Sequence, residues 1–173
     1  NMNLPPYQLE HIDPAYYRNI MAEHGIFFTL HLPEELNIAD ANWRIREAWL
    51  QTVMDAIALA KALQMPILNM HMCTGVYFTL PEQRVYLFES YKKEYLKHIA
   101  SFRVCVAEAI GEADICLAIE NTGVYGLGFI TAAVEELLAQ PCFGLTWDVG
   151  HDVVSSNLDA AFVTQHQHRL RSE

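Results

Sequence analysis

The octapeptide GLTWDVGH, residues 144–151, runs from apolar residues into an acid, a glycine and a histidine. The apolar part suits a buried strand, whereas Asp148 and His151 suit the mouth of such a segment rather than its interior. The segment around it, CFGLTWDV at 142–149, therefore reads as a strand that hands polar side chains to its C-terminal end.

The same signature recurs upstream. ICLAIEN, at 115–121, ends at Glu120. ILNMHM, at 67–72, opens after Pro66 and ends at His71. IFFTLHL, at 26–32, ends near His31. Helical segments separate these runs. Asp13 as N-cap and Pro14 in the first turn start a helix that stops at Gly25. Asp40 can cap a long helix with apolar Trp43, Ala48, Leu50, Val53, Ile57, Ala60 and Leu63 at roughly helical spacing. A second long helix spans about 84–112, a third 129–140, and a last one about 158–170. Strands that are apolar almost throughout, alternating with helices, predict an α/β fold with a parallel sheet. Two architectures fit: an open doubly wound sheet, or part of a (β/α)8 TIM barrel. Nothing in the pattern calls for a second domain, so residues 1–173 read as one.

In a parallel layout all strand C-termini lie on one face, and that face carries the active site. His31, His71, Glu120, Asp148 and His151 should converge there. A single acid or imidazole at a strand end is more often a cap or turn residue. Four successive strands ending this way are a constellation. Imidazole and carboxylate donors in an apolar frame suit a divalent metal such as Zn, Mn or Mg.

The remaining features set limits. A net charge of −10 with 11 Lys and Arg repels a phosphate backbone, so nucleic acid is an unlikely partner. The four cysteines, Cys73, Cys105, Cys116 and Cys142, form no C-x-x-C pair and read as reduced thiols of a cytoplasmic protein. No apolar run is long enough to span a membrane, and no signal peptide is visible. Gly123, Gly126 and Gly128 do not make G-x-G-x-x-G, so they suit a tight turn near a ligand rather than a dinucleotide site. Tyr77 and Phe78 could wall a pocket or pack as a lid. Met65, Met70 and Met72 read as core. His11, His24, His98, His166, His168 and the run YKKEYLKH at 91–98 read as surface.

LNMHMCTG, LAIENTG and GLTWDVGHD together resemble successive strand ends of the xylose isomerase-like TIM barrels. That superfamily holds sugar-phosphate isomerases and epimerases and the endonuclease IV type of apurinic-site nuclease. The resemblance covers nearly the whole chain. It implies that the four strands are strands 3–6 of the barrel, with NMN at the start as the tail of strand 2. Strands 7 and 8, which supply a further His and Glu ligand, would follow HRLRSE.

The resemblance also implies roles. Glu120 is a metal ligand and acid/base, and Asp148 a second ligand. His151 contacts substrate oxygen in the isomerases and a further zinc in the nucleases. His31 and His71 line the pocket or, with the glutamate, bind zinc in the nucleases. The nuclease pattern has Pro-Gly-Ser after the histidine, where this chain has Met72-Cys73-Thr74. It has Asp-Thr-Cys-His, where this chain has Asp148-Val149-Gly150-His151. Both departures favour the sugar branch. The expected substrate is a sugar or sugar phosphate, converted through an enediolate, with the base's pKa moved towards neutral by burial; the alternatives are a zinc-dependent apurinic-site phosphodiesterase and a non-catalytic barrel that binds a small polyol or a partner. A partial barrel should be inactive alone and should self-associate through its open sheet edges.

Overall fold

The computed structural model describes residues 2–3, 6–9, 11–155 and 158–172. Six parallel strands form one sheet: β1 (Met2–Asn3), β2 (Leu30–His31), β3 (Ile67–His71), β6 (Cys116–Glu120), β7 (Phe143–Thr146) and β8 (Leu170–Ser172), in that spatial order. β4 (Tyr77–Thr79) and β5 (Arg84–Tyr86) make a separate antiparallel hairpin. The helices are α1 (Pro6–Leu9), α2 (Pro14–His24), α3 (Trp43–Leu63), α4 (Leu87–Ser90), α5 (Lys92–Ile110), α6 (Gly128–Leu138), α7 (Val149–Val154) and α8 (Ala160–Gln165). The expected α/β partial barrel is present, with six sheet strands rather than four.

Of the two further strands, one was expected and one corrects a boundary. Met2–Asn3 pairs in parallel with Leu30–His31, as the expected tail of a preceding strand would; Asn1 lies outside the described residues. The segment expected to be helical to residue 170 instead breaks after Gln165. It makes a 3-10 turn over Gln167–Arg169 and joins β7 as β8. The segment expected to start a helix at residue 84 first completes the hairpin. The first expected strand, 26–32, is reduced to Leu30–His31.

Local chemistry explains the elements. Asp13 accepts from the Ala15 N–H at 2.9 Å, Pro14 occupies the first turn of α2, and Gly25 closes the helix at φ +62°. The cap of α3 is Asn42, which accepts from Arg44 N–H at 3.1 Å, and not Asp40; Asp40 instead accepts from Asn42 N–H.

Side chains alternate across each strand. Leu68, Met70, Leu117, Ile119, Phe143 and Leu145 are fully buried. They join the core cluster with Val53, Ile57 and Leu63 of α3, Ile99 and Val106 of α5, and Ile130 and Val134 of α6. Met65, Met70 and Met72 are core, as expected. Tyr95, inside the run read as a solvated face, is buried and stacks on Phe88 with ring centroids 4.4 Å apart.

The opposite face carries Asn69, His71, Ala118, Glu120, Gly144 and Thr146, in the register Asn69↔Ala118↔Gly144 and His71↔Glu120↔Thr146. Thr146 Oγ1 donates to Asn69 Oδ1 at 2.7 Å. The small side chain of Ala118 leaves the room for this bond across β6. Among the described residues, no helix is long and apolar enough to cross a membrane.

Candidate metal and acid–base site

Register brings the first two groups together. His71 and Glu120 are cross-strand partners at the last rung of the β3–β6 ladder, and His31 sits one strand further out. His31 Nε2 lies 3.6 Å from Glu120 Oε2, His71 Nε2 lies 3.5 Å from Glu120 Oε1, and the two Nε2 atoms are 3.2 Å apart. From the start of α7, His151 Nδ1 reaches to 3.4 Å from Glu120 Oε1 and 3.9 Å from Asp148 Oδ2. One buried carboxylate is thus ringed by three imidazoles from separate segments.

His31, His71, Glu120, Asp148 and His151, the five residues expected to converge, lie together. Tyr77, read as a pocket wall or a packed lid, does not join them. It is on the hairpin, its ring 5.5 Å from Tyr86 and 5.0 Å from the Arg84 guanidinium, so its ring contacts are within the hairpin rather than with the histidines.

Two donor groups emerge: His31, His71 and Glu120, and Glu120, Asp148 and His151. In each, one ligand atom per residue lies within 4.8 Å of the others. The tautomer of His31 fits a ligand role. Its Nδ1–H donates to the Leu32 carbonyl at 2.6 Å, which in the neutral ring turns the Nε2 lone pair towards the cluster. His151 differs, because its Nδ1–H donates to the Asn121 carbonyl at 3.1 Å. To ligate through Nδ1 it must give up that bond. Nitrogen and oxygen donors of this kind suit zinc or manganese, and the residues present fit such an ion.

The electrostatics correct one expectation. The hydrogen bonds of His31 and His71 hold the Glu120 carboxyl down at about 2, against the opposing effect of burial. Its proton affinity is therefore lowered, where a base tuned towards neutrality was expected. Reciprocally, the hydrogen bond with Glu120 raises the His31 pKa above 6.5 despite desolvation.

A pH dependence follows from these two shifts. Glu120 is depressed when folded, so its contribution is present above 4.5 and is lost as pH falls towards 2. His31 is raised when folded, so its contribution is present below 6.5 and is lost as pH rises through the folded value. Both contributions are complete only between 4.5 and 6.5. The metal-free protein should show its site-dependent stability maximum in that window. Urea midpoints measured from pH 3 to 9 with and without a chelator test this, and a flat metal-free profile would contradict it.

Sequence reasoning missed three buried polar residues that build the rim. Asn121 and Asp159 are fully buried and Asp152 nearly so. The Asp159 carboxylate accepts from Gly123 N–H at 2.6 Å and Tyr125 N–H at 2.8 Å, folding the loop after β6. Asp152 Oδ1 accepts from Asp159 N–H at 3.2 Å. Gly123, at φ +80° with Ser155 against it, supplies the tight turn expected of that glycine group. The only sequence signal for Asp159 was an acid preceding an apolar helix, which reads equally as a cap. A cavity of about 570 Å³ lined by Pro66, Cys116, Cys142 and Arg171 lies at the other end of the strands, remote from this rim.

Comparison with known proteins places the fold. The family model described as xylose isomerase-like TIM barrel matches residues 3–169. A D-tagatose 3-epimerase-like protein superposes with a TM-score of 0.68 at 23% identity, over 90% of this chain and 57% of its own. D-allulose 3-epimerase from Methylomonas sp., solved with D-allulose, gives 0.66 at 20% identity, over 98% of this chain and 57% of its own. The IolI protein, solved with a zinc atom, gives 0.61 at 14% identity, over 84% of this chain and 50% of its own. At these identities the likeness shows the fold alone. The chain spans little more than half the length of these structures. No curated protein matches.

Proposed function

This chain belongs to the xylose isomerase-like TIM barrel family, and from that premise we propose that it forms the acid–base and metal-holding part of a sugar or sugar-phosphate isomerase or epimerase. The observation that carries the reading is Glu120, buried at the C-terminal rim and reached by three imidazoles at 3.4–3.6 Å. The similarity to structures named for epimerases supports the same class.

In this reading Glu120, Asp148, His71 and His31 hold a divalent cation, Mn, Zn or Mg. When bound, the cation would polarise neighbouring oxygens of an open-chain sugar. Glu120 takes the proton α to the carbonyl and returns it elsewhere, through an enediolate. Its imidazole hydrogen bonds must loosen for that, because they suppress its proton affinity. His151 contacts a substrate oxygen, His31 and His71 line the pocket, and Tyr77 closes one wall if the hairpin moves over the rim. We take residues 1–173 as one domain, a reading supported by a six-stranded sheet whose strands lie between Met2 and Ser172. The proposed location is the cytoplasm, in keeping with four free thiols.

The test is exchange. The protein with its family-length barrel, given Mn²⁺ and a ketose or ketose phosphate in D₂O, should incorporate deuterium at the carbon α to the carbonyl. No exchange with either substrate class would overturn the reading. The 173-residue chain alone should turn over no sugar, because the resemblance assigns two further ligands to later strands. It should also self-associate through its open edges, β1 and β8. A monomer by sedimentation would contradict this last point.

The triad of His31, His71 and Glu120 supports a second reading, a zinc phosphodiesterase acting on abasic DNA. The net charge of −10 argues against it. Three zinc ions per full-length chain, with cleavage of an abasic duplex, would favour the phosphodiesterase.

A further inference from the structure

The β6–β7 ladder ends at the pair Glu120↔Thr146, and the Asn121 N–H donates to the Thr146 carbonyl at 3.4 Å. Past this point no backbone pairing holds the two strand ends together. A side chain continues instead. Asn121 Oδ1 accepts from Asp148 N–H at 2.6 Å, and Asn121 Nδ2 donates to the Asp148 carbonyl at 3.0 Å. One carboxamide imitates a peptide unit and adds a rung beyond the sheet. The Asn121 carbonyl also accepts from His151 Nδ1, while Asp148 Oδ1 accepts from His151 N–H at 2.8 Å. Asn121 is fully buried and covalently next to Glu120.

We infer that Asn121 is a positioning residue that fixes Asp148 and His151 relative to Glu120, and so sets the affinity of this rim for a divalent cation. The inference rests on reading the rim as a metal site. The side-chain chemistry is specific. A donor and an acceptor are needed on one planar group, which Asn supplies and Asp does not. Asp at this position keeps the bond to Asp148 N–H but sets a carboxylate oxygen against the Asp148 carbonyl. Gln carries the right group on a stem one methylene too long for the same two bonds.

Charge and geometry make opposite predictions for Asn121→Asp. An added negative charge beside Glu120 should tighten cation binding if charge alone governs the site. Loss of the clamp should weaken it.

The experiment measures Mn²⁺ affinity by titration, and exchange of the Asp148 amide in the metal-free protein, for the parent chain and for Asn121→Ala, Asn121→Asp and Asn121→Gln. Near-UV circular dichroism confirms that each variant is folded. Ala and Asp should each weaken Mn²⁺ binding roughly 10- to 100-fold, the range for groups that orient metal ligands. Ala should also speed exchange at Asp148, Asp should speed it less because it keeps the bond to that N–H, and Gln should fall between Ala and the parent. Unchanged Mn²⁺ affinity in Asn121→Ala, tighter binding in Asn121→Asp, or unaltered Asp148 exchange in Asn121→Ala would overturn the inference. If the parent chain binds no Mn²⁺, the metal reading fails and the inferred effect on affinity falls with it, while the exchange data still decide whether the clamp exists.

Discussion

Glu120→Gln is expected to lower divalent-metal affinity by more than ~100-fold, beyond the loss typical of an orienting group. Glu120 belongs to both donor triads, so a single change removes a ligand from each. The amide oxygen is a weaker donor, and the amide nitrogen presents hydrogens to the space a cation would use. The variant also alters the metal-free protein in a pH-dependent way. Below 6.5 His31 is protonated and loses its carboxylate partner, which should cost about 1–3 kcal/mol, the scale of an unmet charged hydrogen bond. As pH rises through the folded value the cost should shrink, because the ring sheds its proton. Isothermal titration with Mn²⁺ or Zn²⁺ and urea melts at pH 5.5 and 8.5 measure both effects. Metal affinity within tenfold of the parent would remove Glu120 from the centre of the site.

Asp159→Ala should be among the most destabilising single substitutions on this face. Its carboxylate is fully buried and accepts two backbone N–H groups, from Gly123 and Tyr125. Truncation orphans both amides, the Tyr125 one buried and the Gly123 one part-buried, at about 1–3 kcal/mol for a buried donor and less for the other. The expected loss is about 2–4 kcal/mol after partial relaxation. The effect should reach function, because the loop held by Asp159 begins at Asn121, whose side chain grips Asp148. Asp159→Asn provides the control. It retains one acceptor oxygen and should recover part of the stability. A chemical-denaturation midpoint for Asp159→Ala equal to that of the parent would show that the loop is held by other contacts.

Much of the candidate site was legible in the sequence because strand chemistry is local. A run such as CLAIE signals a buried strand by composition, and the acid at its end stands out against it. The common direction of parallel strands then places all such ends on one rim, so His31, His71, Glu120, Asp148 and His151 could be gathered before any distance was known. The far edge strand was not legible. Leu170–Ser172 is only three residues long, too short for a periodicity to register, whereas Met2–Asn3 was expected through the resemblance alone. The hairpin was hidden in a polar, aromatic loop, and with it the separation of Tyr77 from the histidines.

Short segments were enough to specify the parallel α/β sheet and the set of polar residues at its C-terminal rim, since alternation along a strand and the cost of burying a polar group are local properties. Tertiary structure alone decided what those residues do to one another. The lowered pKa of Glu120, the raised pKa of His31 and the Asn121 rung depend on separations of 2.6–3.6 Å between groups 27 to 89 positions apart. Such electrostatic and hydrogen-bond terms fall off steeply with distance through space, and spacing along the chain carries no record of them.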